Sequence, residues 1–374
     1  MKILQIVQTL DPQVGGVASA VRALSRGLAR RGHKIDIVTL DEPNIFPNED
    51  VDLTIHALGE GLTSYRYSSA FPKWLRDHAR DFDRVIVHGI WQHQSFATWR
   101  QFHRSATPYY VFPHGMLDPW FKRTFPRKHL KKWLYWPWAE YRVLRDAAAV
   151  IFTSEEERLQ ARESFWLYKC NERVSPLGIE PPADSLGARD IFLLKYPQLR
   201  NRPTLLFLGR LHPKKGCDML IDAFPRGSDF ALVLAGPDQI GWEHELRRRI
   251  DVDLAKRVIF PGMLEGEMKQ GAFAVADAFI LPSHQENFGM AVVEALAAGV
   301  PVLISNRVNI WREIEADGAG FVEGDDLTGT TRLIERWRDA PLPQREQMRA
   351  NARKCFANRF HIERAVDSLL SILQ

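Results

Sequence analysis

The chain opens on Ile3-Leu4-Gln5-Ile6-Val7, an apolar run that predicts a first β-strand. A turn follows at Gly15-Gly16, and Val17, Ala20, Val21, Leu24 and Leu28 then recur at helical spacing until Gly32 closes the segment. Residues 33–39 return to strand character, so the whole stretch predicts a βαβ unit. Further strand-like runs stand at 84–88, 108–113, 147–153 and 173–177. Residues 180–202, with Pro181, Pro182, Gly187 and Pro197, read as a linker. Beyond it, strand-like runs at 203–209, 230–235, 258–261, 277–282 and 300–305 alternate with helical stretches, which predicts a second parallel sheet.

A length of 374 residues accommodates two ordinary α/β domains, which the linker places at 1–180 and 181–359. With 26% charged and 45% hydrophobic residues, the composition is that of a soluble globular protein. The net charge of +4 is mild and gives no argument for a nucleic-acid partner. Cys170, Cys217 and Cys355 are widely spaced, show no metal-ligand spacing and read as reduced thiols of a cytoplasmic protein. The first residues are too interrupted by Gln for a signal-peptide core, and no segment offers the ~20 uncharged apolar residues of a membrane span.

Candidate chemistry concentrates in the second half. After the strand-like run ending at Pro282, the segment Ser283-His284-Gln285-Glu286-Asn287-Phe288-Gly289 leads into an apolar helix that carries Glu294. A strand, a polar turn and a helix start form a place where backbone N–H groups meet an anion. Glu286 and Glu294 frame that place. A second strand-like run ends at Gly209-Arg210, with Lys215-Gly216 in the loop that follows. Ligands of open parallel sheets bind beyond the carboxyl ends of strands, and two cations there suit a diphosphate. An isolated pair of such charges would be an ordinary solvated loop, and Glu286 alone an ordinary helix cap. Together the four residues fit a nucleotide sugar, phosphates on the cations and N–H groups and hydroxyls on the carboxylates.

The pattern Gly209-Arg210, Lys215-Gly216, Asp218, Leu220-Ile221 and Ala223-Phe224, then Ala235-Gly236-Pro237, then Pro282-Ser283, Glu286, Phe288-Gly289, Glu294-Ala295, Gly299 and Pro301-Val302, resembles the large family 4 of retaining glycosyltransferases. The match is specific in 203–323 and holds in outline over the whole chain. The resemblance implies the α/β GT-B fold, two facing Rossmann-like domains with the active site in the cleft between them, and a last helix, 360–374, that crosses back to the first domain. It also implies a metal-independent reaction without a cofactor. Glu294 would then grip the ribose hydroxyls and Glu286 those of the donor sugar. Arg210, Lys215 and the amides of Asn287-Phe288-Gly289 would meet the leaving diphosphate, where charge builds up. Pro261-Gly262-Met263-Leu264 would offer backbone contacts to the base.

In the first half, His114 of Pro113-His114-Gly115 ends a predicted strand and so projects from the carboxyl edge of the sheet. The resemblance matches it to a histidine that contacts the donor sugar, acting by hydrogen bonding and not as a nucleophile. His88 and Trp91 are acceptor-side candidates. Gly15-Gly16 is not a Gly-x-Gly-x-x-Gly fingerprint. It serves either as a tight turn for close strand–helix packing or, by resemblance, as an approach to the donor phosphates or the acceptor.

Residues 120–138 are rich in both cations and aromatics. Leu130, Leu134, Trp138, Tyr141 and Leu144 recur at helical spacing and are expected to pack inward. Trp120, Phe121, Phe125, Trp133 and Trp136, mixed with Lys122, Arg123, Arg127, Lys128, Lys131 and Lys132, have the composition of a surface that settles at an anionic membrane. The expected activity is therefore sugar transfer from a nucleotide diphosphate sugar to a saccharide acceptor, lipid-linked at the inner face of the cytoplasmic membrane, in cell-surface polysaccharide assembly. Two alternatives remain open at this point: a nucleotide-sugar 2-epimerase of the same fold, and a catalytically silent nucleotide-sugar-binding protein.

Overall fold

The computed structural model describes residues 1–11, 15–43, 53–124, 126–182 and 187–374, with the side chain of Arg123 left aside. Contacts divide the chain into two units. Residues 1–180 and 360–374 form the first, and residues 181–359 the second.

The first unit holds a seven-stranded parallel sheet, built from β1 (Lys2–Ile6), β2 (Lys34–Thr39), β3 (Leu53–Ala57), β4 (Arg84–His88), β5 (Tyr109–Phe112), β6 (Ala149–Phe152) and β7 (Glu172–Val174), in the order β3-β2-β1-β4-β5-β6-β7. Registers such as Ile3↔Ile35 and Leu4↔Val85 alternate side chains between two cores. Leu4, Ile6, Val85, Val87 and Val111 face one core, and Ile3, Ile35, Ile37, Ile86 and Ile151 face the other. Burial on both faces is why β4 and β6 read as continuous apolar runs. The pattern of the sequence does not reveal β3. It is an edge strand in which only Leu53 is fully buried, and His56 and Thr54 break the apolar run.

The second core is completed by the end of the chain. Helix Ile362–Leu373 buries Ile362, Ala365, Val366, Leu369 and Leu373 along one stripe and packs on helix Gly16–Arg30. The approach is close enough that a Cβ on Gly27 would stand 2.5 Å from Val366 Cγ2. Arg30 and Arg31 pair with Glu363 at 3.3 and 2.8 Å, and Arg84 Nε donates to the Leu373 carbonyl at 2.7 Å.

The second unit holds a six-stranded parallel sheet: β8 (Thr204–Leu208), β9 (Ala231–Ala235), β10 (Val258–Gly262), β11 (Ala278–Leu281), β12 (Val302–Ser305) and β13 (Gly320–Glu323), in the order β10-β9-β8-β11-β12-β13. The short edge strand β13 is a second element that the sequence pattern hides. The expected linker is corrected too. Gly187, at φ +92°, turns the chain into helix Ala188–Lys195, which buries Ala188, Phe192 and Leu193 and packs on helix Gly266–Val275. Gly271 permits this contact, since a Cβ there would lie 2.3 Å from the Ala188 carbonyl oxygen. Proline and glycine marked the ends of this segment and masked the apolar face between them. In each sheet the order reverses beside the first strand, between β1 and β4 and between β8 and β11, where open α/β sheets bind ligands.

The cationic, aromatic stretch also folds otherwise than its spacing predicts. Helix Pro126–Tyr135 buries none of its residues, and Leu130, Leu134 and Trp138 are 60, 60 and 71% exposed. Helicity stops at Tyr135, ahead of Pro137, so the stripe loses phase before helix Glu140–Arg145, where Leu144 does face the core. Trp136, expected at the surface, is fully buried and stacks on Phe165 at 4.2 Å. Lys132 is drawn inward over the Trp91 ring at 4.6 Å, and burial pushes its pKa down to about 8. Phe125 lies outside the described residues.

Candidate functional site

In the second unit, two loops at the switch point are stitched into one surface. The loop after β8 places Pro213-Lys214-Lys215 in a single 3-10 turn closed by Gly216, whose φ of +71° only glycine adopts easily. The Lys214 carbonyl accepts from the His284 N–H at 2.9 Å and from Ser283 Oγ at 3.0 Å, in the loop after β11. Contact is so close that a Cβ on Gly216 would lie 2.5 Å from the Pro282 carbonyl oxygen. Lys215 therefore reaches Glu286 directly, Nζ donating to Oε2, with both side chains largely buried.

Glu286 is fixed at its backbone as well. Its N–H donates to Arg307 O at 2.9 Å, and its carbonyl accepts from the Asn309 N–H at 3.0 Å. Burial alone would raise the pKa of its carboxyl, but Lys215, Lys214 and Arg210 outweigh burial and hold it below the ordinary value. The site thus keeps an ionised acceptor among cations. Asn287 accepts from Asn309 Nδ2 at 3.3 Å, Phe288 is buried beneath the loop, and Gly289, at φ +78°, leads into helix Met290–Ala297. On that helix Glu294 accepts from Lys269 Nζ at 2.8 Å. Arg210 is exposed, its Nη1 3.4 Å from Gln239 Oε1. Met263, 52% exposed, follows the end of β10. Among the described residues no three His, Cys, Asp or Glu side chains gather in a way that would hold a metal ion.

The first unit presents a different device at its own switch point. His88, at the end of β4, lies between Gln5 on β1 and His114 beyond β5: Nε2 is 2.6 Å from Gln5 Oε1, and Nδ1 is 2.9 Å from His114 Nε2. Because the Gln5 oxygen can only accept, His88 carries its proton on Nε2 and accepts from His114 Nε2–H. His114 Nδ1 is left as a lone-pair acceptor. Burial lowers the pKa of His88 and pushes that of His114 down to about 4, so the pair is neutral near pH 7.

His114 and Gly115 both have positive φ, 50° and 76°, and the Gly115 N–H is caught by Glu157 Oε1 at 2.6 Å. Glu157 also accepts from the N–H and Oγ1 of Thr153 at the end of β6, so the strained turn is tied to that strand end and to helix Glu155–Ala161. Both ring nitrogens of His88 are engaged inside the unit. Trp91, at φ +74°, donates from Nε1 to Met116 O at 3.1 Å and packs on Trp136 and Phe165. Gly15 begins helix Gly16–Arg30 at φ +149°, and among the described residues no atom lies within 4 Å of an added Cβ. Its glycine answers to conformation and not to close packing, and residues 12–14 before it lie outside the description.

Sequence reasoning missed Gln5, Glu157 and Glu140. Glu140, two residues beyond the basic stretch, is fully buried, accepts from Trp91 N–H at 2.9 Å and Ser95 Oγ at 3.0 Å, and its pKa is pushed by burial up to about 7.

Residues 194–355 match the family model described as glycosyl transferases group 1, and residues 15–178 match one described as a glycosyl transferase 4-like domain. The chain is 25% identical over 387 aligned residues to a GDP-mannose-dependent α-(1-6)-phosphatidylinositol dimannoside mannosyltransferase of Mycobacterium tuberculosis, covering 100% of this chain and 96% of that one. It is 23% identical over 381 residues to an O-antigen chain mannosyltransferase C of Escherichia coli, covering 100% and 98%. An Anabaena protein solved in complex with UDP-glucose is similar in fold, with a TM-score of 0.78 at 17% identity, covering 100% of this chain and 99% of that one.

Proposed function

Because the chain belongs to the group 1 glycosyltransferases, we propose that it transfers a hexose, with retention of configuration, from a nucleotide diphosphate sugar to a lipid-linked saccharide in cell-surface polysaccharide assembly. The observation that carries this reading is the Lys215–Glu286 pair, set by the stitched loops where the second sheet reverses. Lys215, Arg210 and the first-turn N–H groups after Gly289 neutralise the charge that grows on the departing diphosphate. Glu286, kept ionised, accepts from hydroxyls of the transferred sugar, and Glu294 serves the ribose. In the first unit, His114 offers a neutral hydrogen-bond acceptor at its own sheet edge. With cations already at the diphosphate, the reaction needs no divalent ion.

The test is incubation with GDP-mannose and UDP-glucose, with and without a lipid-linked acceptor and with EDTA, following nucleotide diphosphate release and the fate of the sugar. Acceptor-dependent release that survives EDTA is the expected result. Release with epimerised free sugar and no acceptor would assign the epimerase reaction, binding without turnover a silent protein, and loss in EDTA restored by magnesium a metal-dependent one.

The lipid-linked acceptor draws support from the exposed face of helix Pro126–Tyr135. Leu130, Leu134 and Trp138 stand beside exposed Arg127 and Lys131, and the exposed Trp133 lies 6.2 Å from Trp166, which is exposed as well. Apolar side chains bury in the headgroup boundary while each cation adds about 1 kcal/mol at an anionic surface. No helix among the described residues is long and apolar enough to cross a membrane, so this contact is peripheral. In co-sedimentation with vesicles containing anionic lipid, binding is expected to fall at least about thirtyfold when Arg127 and Lys131 become Glu, and further when Leu134 and Trp138 become Asp and Ser. Binding indifferent to lipid charge and to both changes would favour a soluble acceptor.

A further inference from the structure

A pocket of about 440 Å³ opens within the first unit, apart from the His88–His114 pair. Its volume falls in the ~300–1,000 Å³ range of small-molecule sites. Tyr65, Tyr67, Phe96 and His93 give it flat apolar walls, and Arg76 and Arg100 reach it from the last turns of helices Ala70–His78 and His93–Phe102. Among the described residues no carboxylate lines it. Neither arginine has an ion-pair or hydrogen-bond partner among the described residues, whereas most other arginines of this unit are paired or hydrogen-bonded.

The walls are built and not merely adjacent. The His93 N–H donates to the Tyr65 carbonyl at 2.9 Å, Tyr65 Oη shares a hydrogen bond with Tyr135 Oη at 2.8 Å, and the Tyr67 ring lies 4.7 Å from that of His93. His93 is 9% exposed, and its Nδ1 accepts from the Ser68 N–H at 3.2 Å. The neutral ring therefore carries its proton on Nε2. That N–H, on a side chain lining the pocket, has no protein acceptor among the described residues. Thr63 and Arg66 hold the loop from β3 at φ +61° and +55°, a strained conformation of the kind that concentrates at ligand clamps.

We propose that this pocket binds a pyranose unit bearing a phosphate or carboxylate group, the sugar ring lying against Tyr65, Tyr67 and Phe96, the anion between Arg76 and Arg100, and a hydroxyl on His93 Nε2–H. This rests on the glycosyl-transfer reading and deepens it: the acceptor is an anionic saccharide. Paired guanidinium groups are the fitting partners for such an oxyanion. A neutral glycoside keeps the stacking and loses the charge-assisted bonds.

Ligand-observed NMR and calorimetry test it with mannose 1-phosphate, glucose 6-phosphate, glucuronate, methyl α-mannoside and inorganic phosphate, on the wild type and on R76Q/R100Q. Both arginines are exposed, so the variant is expected to fold, which its melting temperature checks. At least one anionic sugar should bind about tenfold more tightly than the methyl glycoside, and about tenfold more weakly to the variant. GDP and UDP titrations should be the same for both proteins. Anionic sugars that bind no better than the neutral one, inorganic phosphate that binds as tightly, or an unaffected variant each overturn the proposal. Failure of the nucleotide titrations strikes instead at the glycosyl-transfer reading, and active transfer with no anionic-sugar binding removes this inference alone.

Discussion

Glu286→Gln is expected to lower kcat by about 10²–10³, the size of effect that removal of one preorganised charge-stabilising partner produces, and Lys215→Ala by at least as much. The two side chains form a largely buried ion pair, so each single change also leaves a charge without its partner. Both single variants should therefore melt below the wild type, while the double variant Lys215→Met with Glu286→Leu should regain much of that stability and none of the activity. Steady-state kinetics and thermal melts on the three proteins check this. The pair sets a pH limit as well. The folded carboxyl lies below its ordinary pKa, so its contribution to stability is complete above about 4.5 and is lost as pH falls through the lower folded value. Acid should destabilise the wild type there more steeply than the double variant. Near-wild-type turnover in Glu286→Gln would remove that carboxylate from the reaction.

The second large effect is expected at Gly236, which has φ +142° and whose added Cβ would lie 1.9 Å from the Gly209 carbonyl oxygen. Neither neighbour can yield cheaply, because Gly209 is tied to β9 through Ala235 O at 2.9 Å and Gly236 to β10 through Gly262 O at 2.8 Å. Gly236→Ala combines overpacking with backbone strain and should cost roughly 2–5 kcal/mol. It should also displace Arg210, one residue beyond Gly209. A lowered melting temperature together with weaker nucleotide binding is the expected result, and an unchanged melt would show that the two loops are not rigidly seated.

Both sheets were legible where strands are buried on two faces, because Val85-Ile86-Val87 or Phe279-Ile280-Leu281 leave no polar position to confuse the pattern. The edge strands β3 and β13 were not, since each fully buries a single residue, Leu53 and Phe321, and so shows no apolar run. Glu286 and Lys215 could be placed at one sheet edge from strand order alone. The hydrogen bonds through Lys214 that bring them into contact depend on loop conformation, which carries no periodic signal. Gln5, Glu157 and Glu140 stayed hidden for a related reason: a polar residue within a strand or helix announces no partner until the fold supplies one. The pocket of Tyr65, His93, Arg76 and Arg100 is assembled from a loop and two helices, and nothing in their spacing marks them as neighbours. At residues 130–138 the helical spacing misled outright, because Pro137 interrupts the phase that the spacing assumed.

The route of the chain bears on its synthesis. Helix Ile362–Leu373 belongs to the unit that residue 1 begins, while everything from 181 to 359 is made in between. On a ribosome the second unit therefore emerges whole before the first can be finished. Until residues 362–373 follow, Val21, Leu24 and Leu28 lack the apolar surface of that helix, so this core is sealed only after the second unit has been made.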